Sequence, residues 1–339
     1  MLIKSYVGAK MKKSIYLFSD GVLKRKDHTL LFIQDGQKRA LPIQAIEEIM
    51  VFGEIDLNKR VLELLTKHKI PLHFFNYYEY YVGSYYPRTY LNSGYMTIQQ
   101  VRCYLEPKER LYLARSFVKG AIKNIQKNLA YYKKKIDDLE PLKEEIDSYY
   151  QKIDSISTIE ELMGIEAQAR KSYYDAFGYI LLQEGFVFGK RTKRPPKNPL
   201  NALISFGNSL LYMSVLTQIY HTHLDPRIGY LHESNQRSFS LNLDIAEVFK
   251  PILVDRVIFS LINRKQISLK HFDKDVGYTY LNEQGRKIFV QAYEEKLQTT
   301  IKRPVIGKVS YKRLLRLECY KLYKHFMLED LYKPFVSEW

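Results

Sequence analysis

Hydrophobic positions along the chain change period near residue 92. Before that point they come in short runs broken by turn residues, the spacing of strands. "SIYLFSDG" is apolar and ends in a Ser-Asp-Gly turn, and "TLLFIQDGQKRALPI" reads as a hairpin about Asp35 and Gly36. "EEIMVFG" and "IPLHFF" are further short runs, and "YYVGSYYP" closes the region with aromatic strand character. Between them "LNKRVLELLTKH" sets Leu57, Val61, Leu64 and Leu65 on one helical stripe. After "LNSG" the period becomes helical. "RLYLARSFVKGAIKNIQKNLAYYKKKI" predicts a long amphipathic helix with a basic wet side. "SISTIEELMGIEAQARKSYYDAFGYILL" opens with Ser157 and Thr158 beside Glu160 and Glu161, a cap followed by an acidic first turn. "NALISFGNSLLYMSVLTQIYHTHL" is apolar on several faces and predicts a buried central helix. "IAEVFKPILVDRVIFSLINRK" continues the helical theme, with Pro251 imposing a kink or break, and "SYKRLLRLECYKLYKHFMLED" predicts a basic C-terminal helix. The expected fold is α+β and multidomain. A β-rich domain over 13–92 precedes a larger all-α domain over 95–339, and residues 1–12 form a possible N-terminal extension.

Charge narrows the partners. Against 37 Asp and Glu stand 53 Lys and Arg, a surplus of +16, which points to a polyanion: nucleic acid or an anionic membrane surface. The 29 tyrosines suit base stacking, though for most of them core packing is the ordinary reading. Only Cys103 and Cys319 occur, far apart, which argues against a disulfide scaffold and for a reducing compartment. No apolar run approaches the roughly 20 residues of a membrane helix, and "IYLF" is too short for the core of a signal peptide. The expectation is a soluble, cytoplasmic protein.

Candidate chemistry lies in the helical half. Asp244 and Glu247 are three apart and would share one helix face, within reach of one cation. Acids in a first helical turn are also common without any ion. His232 lies in "GYLHE", and Glu166 lies on a small, apolar stretch of helix, where a carboxylate needs either the rim or a cation. Two carboxylates and an imidazole form a donor set that tolerates Mg²⁺ and favours Mn²⁺, and in a basic protein its natural use is phosphodiester chemistry. The run "FGKRTKRPPKNP" carries Lys190, Arg191, Lys193, Arg194 and Lys197 on a proline-broken loop or arm suited to phosphate contact. Lys190, Arg191, Arg194 and Arg237 are the candidates for DNA phosphates, and Tyr173 and Tyr174 could lie beside a strand end. No GxxxxGK[ST] loop is present.

Four segments in order, "GIEAQARKSYYDAF", "RPPKNPLNALISFGNSLLY", "LDPRIGYLHE" and "RSFSLNLDIAEVFKPILVDRVIFSLIN", resemble the signature segments of the CRISPR-associated adaptation integrase family. "YLFSDGVLKRK", "VFGEIDLN" and "IPLHFFN" extend the resemblance into the first region. The resemblance implies an N-terminal β-domain that forms a homodimer and an α-helical catalytic domain. It implies a metal-dependent DNA endonuclease and integrase that joins prespacer 3′-hydroxyl ends into the repeat array, with a small dimeric adaptation partner. It also implies Glu166, His232 and Glu247 as metal ligands and Asp244 as a further acid at the site. Relatives often carry aspartate at the positions of Glu247 and Asn198; nothing catalytic is read into Asn198. Two alternatives stay open: a DNA-binding architectural protein whose acids only cap helices, and an RNA-processing nuclease.

Overall fold

The computed structural model describes residues 12–88, 91–193, 195–234, 239–275, 277–304 and 306–338, so residues 1–11 of the expected extension, together with Arg194 and Arg237, lie outside the described residues. Two compact units meet in sequence at residues 90 and 91.

The first unit is built on two four-stranded sheets. One runs in the order β1 (Lys13–Leu17), β5 (Ile46–Val51), β7 (Leu72–Phe75), β8 (Tyr81–Tyr85), its first three strands parallel. The other runs β4 (Gln37–Leu41), β3 (Thr29–Gln34), β2 (Gly21–Lys26), β6 (Ile55–Leu57). Strands β3 and β4 pair through the two-residue turn Asp35-Gly36, whose φ angles of 47° and 75° are both left-handed. That is the turn whose twist matches the strands it joins, and it places an aspartate and a glycine where φ must be positive. Helix α1 (Lys59–His68), capped by the Asn58 side chain, turns Val61, Leu64 and Leu65 into a core shared with Leu23, Leu30, Ile49 and Leu72. Parallel β5 is buried along most of its length, which is why "IMV" reads as a continuous apolar run instead of an alternation.

The second unit is mostly helical: α2 (Gly94–Leu105), α3 (Pro107–Lys133), α4 (Glu140–Lys152), α5 (Ile159–Asp175), α6 (Phe177–Ile180), α7 (Pro199–Tyr220), α8 (Leu241–Lys250), α9 (Arg256–Asn263), α10 (Glu283–Gln298) and α11 (Tyr311–Phe326). It also carries two short ribbons, β9 (Phe272–Asp275) with β10 (Tyr278–Leu281) and β11 (Thr300–Arg303) with β12 (Gly307–Ser310), so the expected all-α unit holds some strand. The ribbons turn at Gly277 and Gly307, where φ is 78° and 77°. These strands are only four residues long, too short to show an alternation in the sequence.

Helix α7 corrects one expectation. By length and composition it could cross a membrane, contrary to the reading that no such run exists, yet almost every residue from Leu200 to Tyr220 is buried within the protein. An all-round apolar helix needs cover on every side, and α8, α11 and the β10 ribbon pack against it. Pro251 breaks the helix that follows α8. A π-helical turn, Pro251–Asp255, joins α8 to α9 there, because proline has no N–H for the α-ladder. Gly207 of α7 lets this turn come close: a Cβ there would lie 2.6 Å from Val254.

Two asparagines one helical turn apart on α3 clamp the break. The Asn128 Nδ2 donates to the Pro251 carbonyl at 2.6 Å and to the Tyr173 hydroxyl at 2.9 Å. The Asn124 amide donates to the carbonyls of Val248 (2.8 Å) and Phe335 (3.0 Å) and accepts from the Ser337 N–H (2.9 Å). All these groups are buried, so losing a partner leaves dry, unpaired carbonyls. Asn124→Ala should therefore lower the free energy of unfolding by about 3 kcal/mol, read as a shifted denaturant midpoint. A change under about 0.5 kcal/mol would show that the clamp carries no stability.

Candidate active site

Helix α5 starts at Thr158, whose hydroxyl accepts from Glu161 N (3.2 Å) while the Glu161 carboxylate accepts from Ser157 N (3.4 Å). Fixed in this way, α5 carries Glu166 and Arg170 one turn apart on one face. Helix α8 packs with Glu247 and Lys250 likewise on one face. Between the two helices the Arg170 guanidinium bridges both acids. Its Nη2 donates to Glu247 Oε2 at 2.6 Å and its Nε to Glu166 Oε1 at 3.3 Å. Lys250 closes on the other oxygen of Glu247, with its ammonium over the Tyr212 ring at 4.9 Å.

Electrostatics explain why these charges persist. Glu247 is buried, which by itself would raise its pKa, but the charges of Lys250, Arg170 and His232 outweigh burial and hold it at about 2. Burial pulls Lys250 down and the Glu247 charge pulls it up further, so it stays an ammonium. Asp255, in the π-turn behind them, is pushed up to about 7 by burial, with Arg170 and Lys250 opposing. Arg170 Nη1, also buried, has no hydrogen-bond partner among the described residues.

Asp244, one turn before Glu247 on the same helix, has different partners. Its Oδ2 accepts from Tyr230 N (2.6 Å) and Leu231 N (3.2 Å), and its Oδ1 from His232 N (3.0 Å). The ring Nδ1 of His232 closes on the same Oδ1 at 2.7 Å. The pair Asp244 and Glu247 thus does not meet one cation as their spacing suggested. Asp244 is fully buried with both oxygens engaged, and its bond to Nδ1 fixes the ring and leaves Nε2 as the ring nitrogen that Asp244 does not hold. Gly229 allows the loop to close onto α8, since a Cβ there would lie 2.7 Å from Ser240. Gln100 and Arg110 brace the loop from behind, through Asp225 and the Tyr230 carbonyl.

The basic loop is pinned rather than free. Arg191 donates to Asn201 Oδ1 (2.9 Å) and Ser205 Oγ (3.1 Å) and to the Thr192 carbonyl, so it offers a phosphate its charge but few free donors. Asn198 caps α7 through Asn201 N at 2.8 Å, which accounts for its presence without any catalytic role. Lys190, Lys193 and Lys197 stand exposed. Partial desolvation and the like charges of Lys250 and Arg191 lower the Lys193 pKa, while Glu247 and Glu166 oppose, so this lysine senses the acid cluster. Tyr173 and Tyr174 are buried in the core, Tyr174 against Phe188 with ring centres 4.7 Å apart.

Glu166 and Glu247 are brought to one guanidinium, but with Arg170 between them they do not gather with His232 to within 4.8 Å; among the described residues only Cys103, Glu109 and His325 do so. The donor set still fits a divalent ion, because the cationic groups of Arg170 and Lys250 occupy the carboxylates where its charge would balance the same acids. Arg170 and Lys250 were missed in the sequence, although Glu166/Arg170 at i,i+4 and Glu247/Lys250 at i,i+3 announce ion pairs on helix faces.

Residues 15–295 match the family model for CRISPR associated protein Cas1. A CRISPR-associated endonuclease Cas1 of Thermodesulfovibrio yellowstonii is 51% identical over 330 residues, covering 97% of this chain and all of that protein. The solved structure of a CAS1 protein from Thermotoga maritima superposes with a TM-score of 0.85 at 46% identity, over 96% of this chain and all of that one. A casposase bound to its integration product shares the fold alone, with a TM-score of 0.85 at 18% identity, over 96% of this chain and 94% of that one.

Burial pulls the His232 pKa down, but the hydrogen bond and charge of Asp244 and the charge of Glu247 outweigh it and hold it above 6.5. The sign is that of a group whose pKa is raised by folding. Its contribution to stability is present below pH 6.5 and lost as pH rises through the folded value. The ring-proton NMR titration of His232 should therefore turn over above 6.5 and fall in Asp244→Asn. An unchanged midpoint in the variant would remove Asp244 from this role.

Proposed function

We propose a function on a plain premise: this chain belongs to the CRISPR associated protein Cas1 family. It is a divalent-metal-dependent DNA endonuclease and integrase of CRISPR spacer acquisition. It joins the 3′-hydroxyl ends of a prespacer into the repeat array by transesterification. The observation that carries the reading is the convergence of Glu166 and Glu247, from helices far apart in sequence, on one guanidinium, with a ring nitrogen of His232 left open nearby in the chain. Exchange of one phosphodiester for another needs no nucleotide hydrolysis, in keeping with a chain that lacks a GxxxxGK[ST] loop.

Glu166, Glu247 and His232 Nε2 would hold the ion, Mg²⁺ or Mn²⁺, whose oxygen-rich ligand set with one imidazole suits either. When bound, it polarises the phosphoryl oxygen and stabilises the charge on the attacking and leaving oxygens. Asp244 keeps His232 in the tautomer that presents Nε2 outward. Arg170, with Nη1 unpartnered among the described residues, has a donor to give a phosphate oxygen. Exposed Lys190, Lys193 and Lys197 hold the strand by charge, and Arg194 and Arg237 join them in this reading.

The partners proposed are prespacer and repeat DNA, a second copy of this chain, and a small dimeric adaptation protein. The +16 surplus supports the first, and exposed Tyr77 and Val82 on the β-rich unit support self-association there. Two free cysteines, both buried, accord with the cytoplasm.

Glu166→Ala, His232→Ala and Glu247→Ala should each cut Mn²⁺-dependent strand transfer of a prespacer duplex by about 100-fold or more, while filter-measured DNA affinity stays within a few-fold. Equal activity in variants and parent would end the metal assignment. A strict preference for RNA in the same assay would instead favour an RNA nuclease.

A further inference from the structure

We propose that Cys103, Glu109 and His325 form a second cation site, selective for Zn²⁺, which braces the helices behind the His232 loop. The ligand atoms of these three residues lie within 4.8 Å of one another. They come from three elements: Cys103 from α2, Glu109 from the first turn of α3 and His325 from the last turn of α11. A thiolate, an imidazole and one carboxylate oxygen form a mixed soft and borderline set, suited to Zn²⁺ with a water in fourth place and unlike the oxygen-rich set at Glu166 and Glu247.

Two observations beyond proximity point to an ion. The Cys103 thiol donates to Glu109 Oε2 at 2.9 Å, so a single proton lies between two groups that would both ligate. His325 is buried, and its Nε2 has no hydrogen-bond partner among the described residues; its Nδ1 meets only the Tyr332 N–H, at a long 3.4 Å. A buried imidazole with an orphaned nitrogen is costly unless something fills the place. Arg102 holds the other oxygen of Glu109 at 2.8 Å and approaches Cys103 Sγ at 3.4 Å. It would stay on Oε1 as the outer partner that orients a ligating carboxylate. Uptake is a substitution: Zn²⁺ replaces the thiol proton, which leaves to solvent, and an S–Zn bond replaces the S–H bond. The imidazole proton shifts from Nε2 to Nδ1, giving up the long contact with the Tyr332 N–H, so that Nε2 has its lone pair free for the ion. Burial and Glu109 push the Cys103 thiol up to about 12, so affinity must rise steeply with pH.

The position gives the site a purpose. Tyr230, two residues before His232, donates its hydroxyl to the Gln100 carbonyl of α2 at 3.1 Å. It receives Arg110 of α3 on its own carbonyl at 3.2 Å and stacks on Phe326 of α11 with ring centres 5.5 Å apart. An ion tying α2, α3 and α11 would stiffen the three supports of that loop.

The test titrates chelator-treated full-length protein at pH 8 with Zn²⁺ alone and with Co²⁺ alone. The expected result is one ion per chain at the thiolate site, in addition to any taken up by Glu166, His232 and Glu247, with a thiolate-to-Co²⁺ charge-transfer band that saturates at one equivalent and a melting temperature about 5 °C higher in saturating Zn²⁺. The band should persist in Cys319→Ser and vanish in Cys103→Ser, and His325→Gln should weaken Zn²⁺ binding at least tenfold. Should Cys103→Ser fail to fold, the band in Cys319→Ser and the His325→Gln affinity decide alone. The proposal is overturned if no thiolate band appears, if the band survives Cys103→Ser, or if His325→Gln binds as the parent does. The catalytic ligands include no cysteine, so neither outcome depends on the assignment of Glu166, His232 and Glu247.

Discussion

Everything at the candidate site follows from one constraint: a carboxylate buried between two helices must be matched by positive charge. Glu247 is that group, and Arg170 and Lys250 match it. Removing either cation would leave one oxygen of the buried carboxylate without its partner, which costs more than an exposed ion pair contributes. The same need makes the site receptive to a divalent cation and then to a phosphate. In the function proposed, a metal would be held by these carboxylates, and Arg170 would then have its donors for the polyanion.

That arrangement depends on backbone held at the right height. The π-turn at Pro251 sets the end of α8, the two α3 asparagines hold its carbonyls, and Gly207 admits it against α7. One turn before Glu247 on α8, Asp244 gathers three backbone N–H groups and the His232 ring, so the loop is tied to the helix. π-turns recur at functional sites because one extra residue re-aims the side chains beyond it. Here it places Asp255 directly behind the Arg170–Glu247 pair.

Much of this was legible in the sequence, and the failures have identifiable causes. The Asp35-Gly36 hairpin, the stripe of α1 and the cap at Thr158 are local, so short-range rules found them. The two ribbons of the helical unit escaped because four-residue strands show no period. Helix α7 was read correctly as buried, yet not as one apolar and long enough to cross a membrane, since Asn201, Asn208 and Gln218 interrupt the apolar run while lying inside. At the site, the spacing of Asp244 and Glu247 suggested a shared ion. Spacing fixes the helix face but not the neighbours, and it is the neighbours that set the two acids to different tasks. Arg170 and Lys250 were visible as i,i+4 and i,i+3 partners of Glu166 and Glu247 but were not picked out, because burial is not written in a sequence. The Cys103, Glu109 and His325 group joins residues more than 200 positions apart and had no local signature at all.

The central claim is that Glu166, Glu247 and His232 take one divalent ion, with His232 ligating through the nitrogen that Asp244 leaves open. The most direct measurement is pulsed EPR of Mn²⁺ bound to full-length protein labelled with ¹⁵N-histidine. The account predicts coupling to a single imidazole nitrogen that disappears in His232→Gln. Absence of any ¹⁵N coupling in the parent, or its survival in that variant, would contradict it.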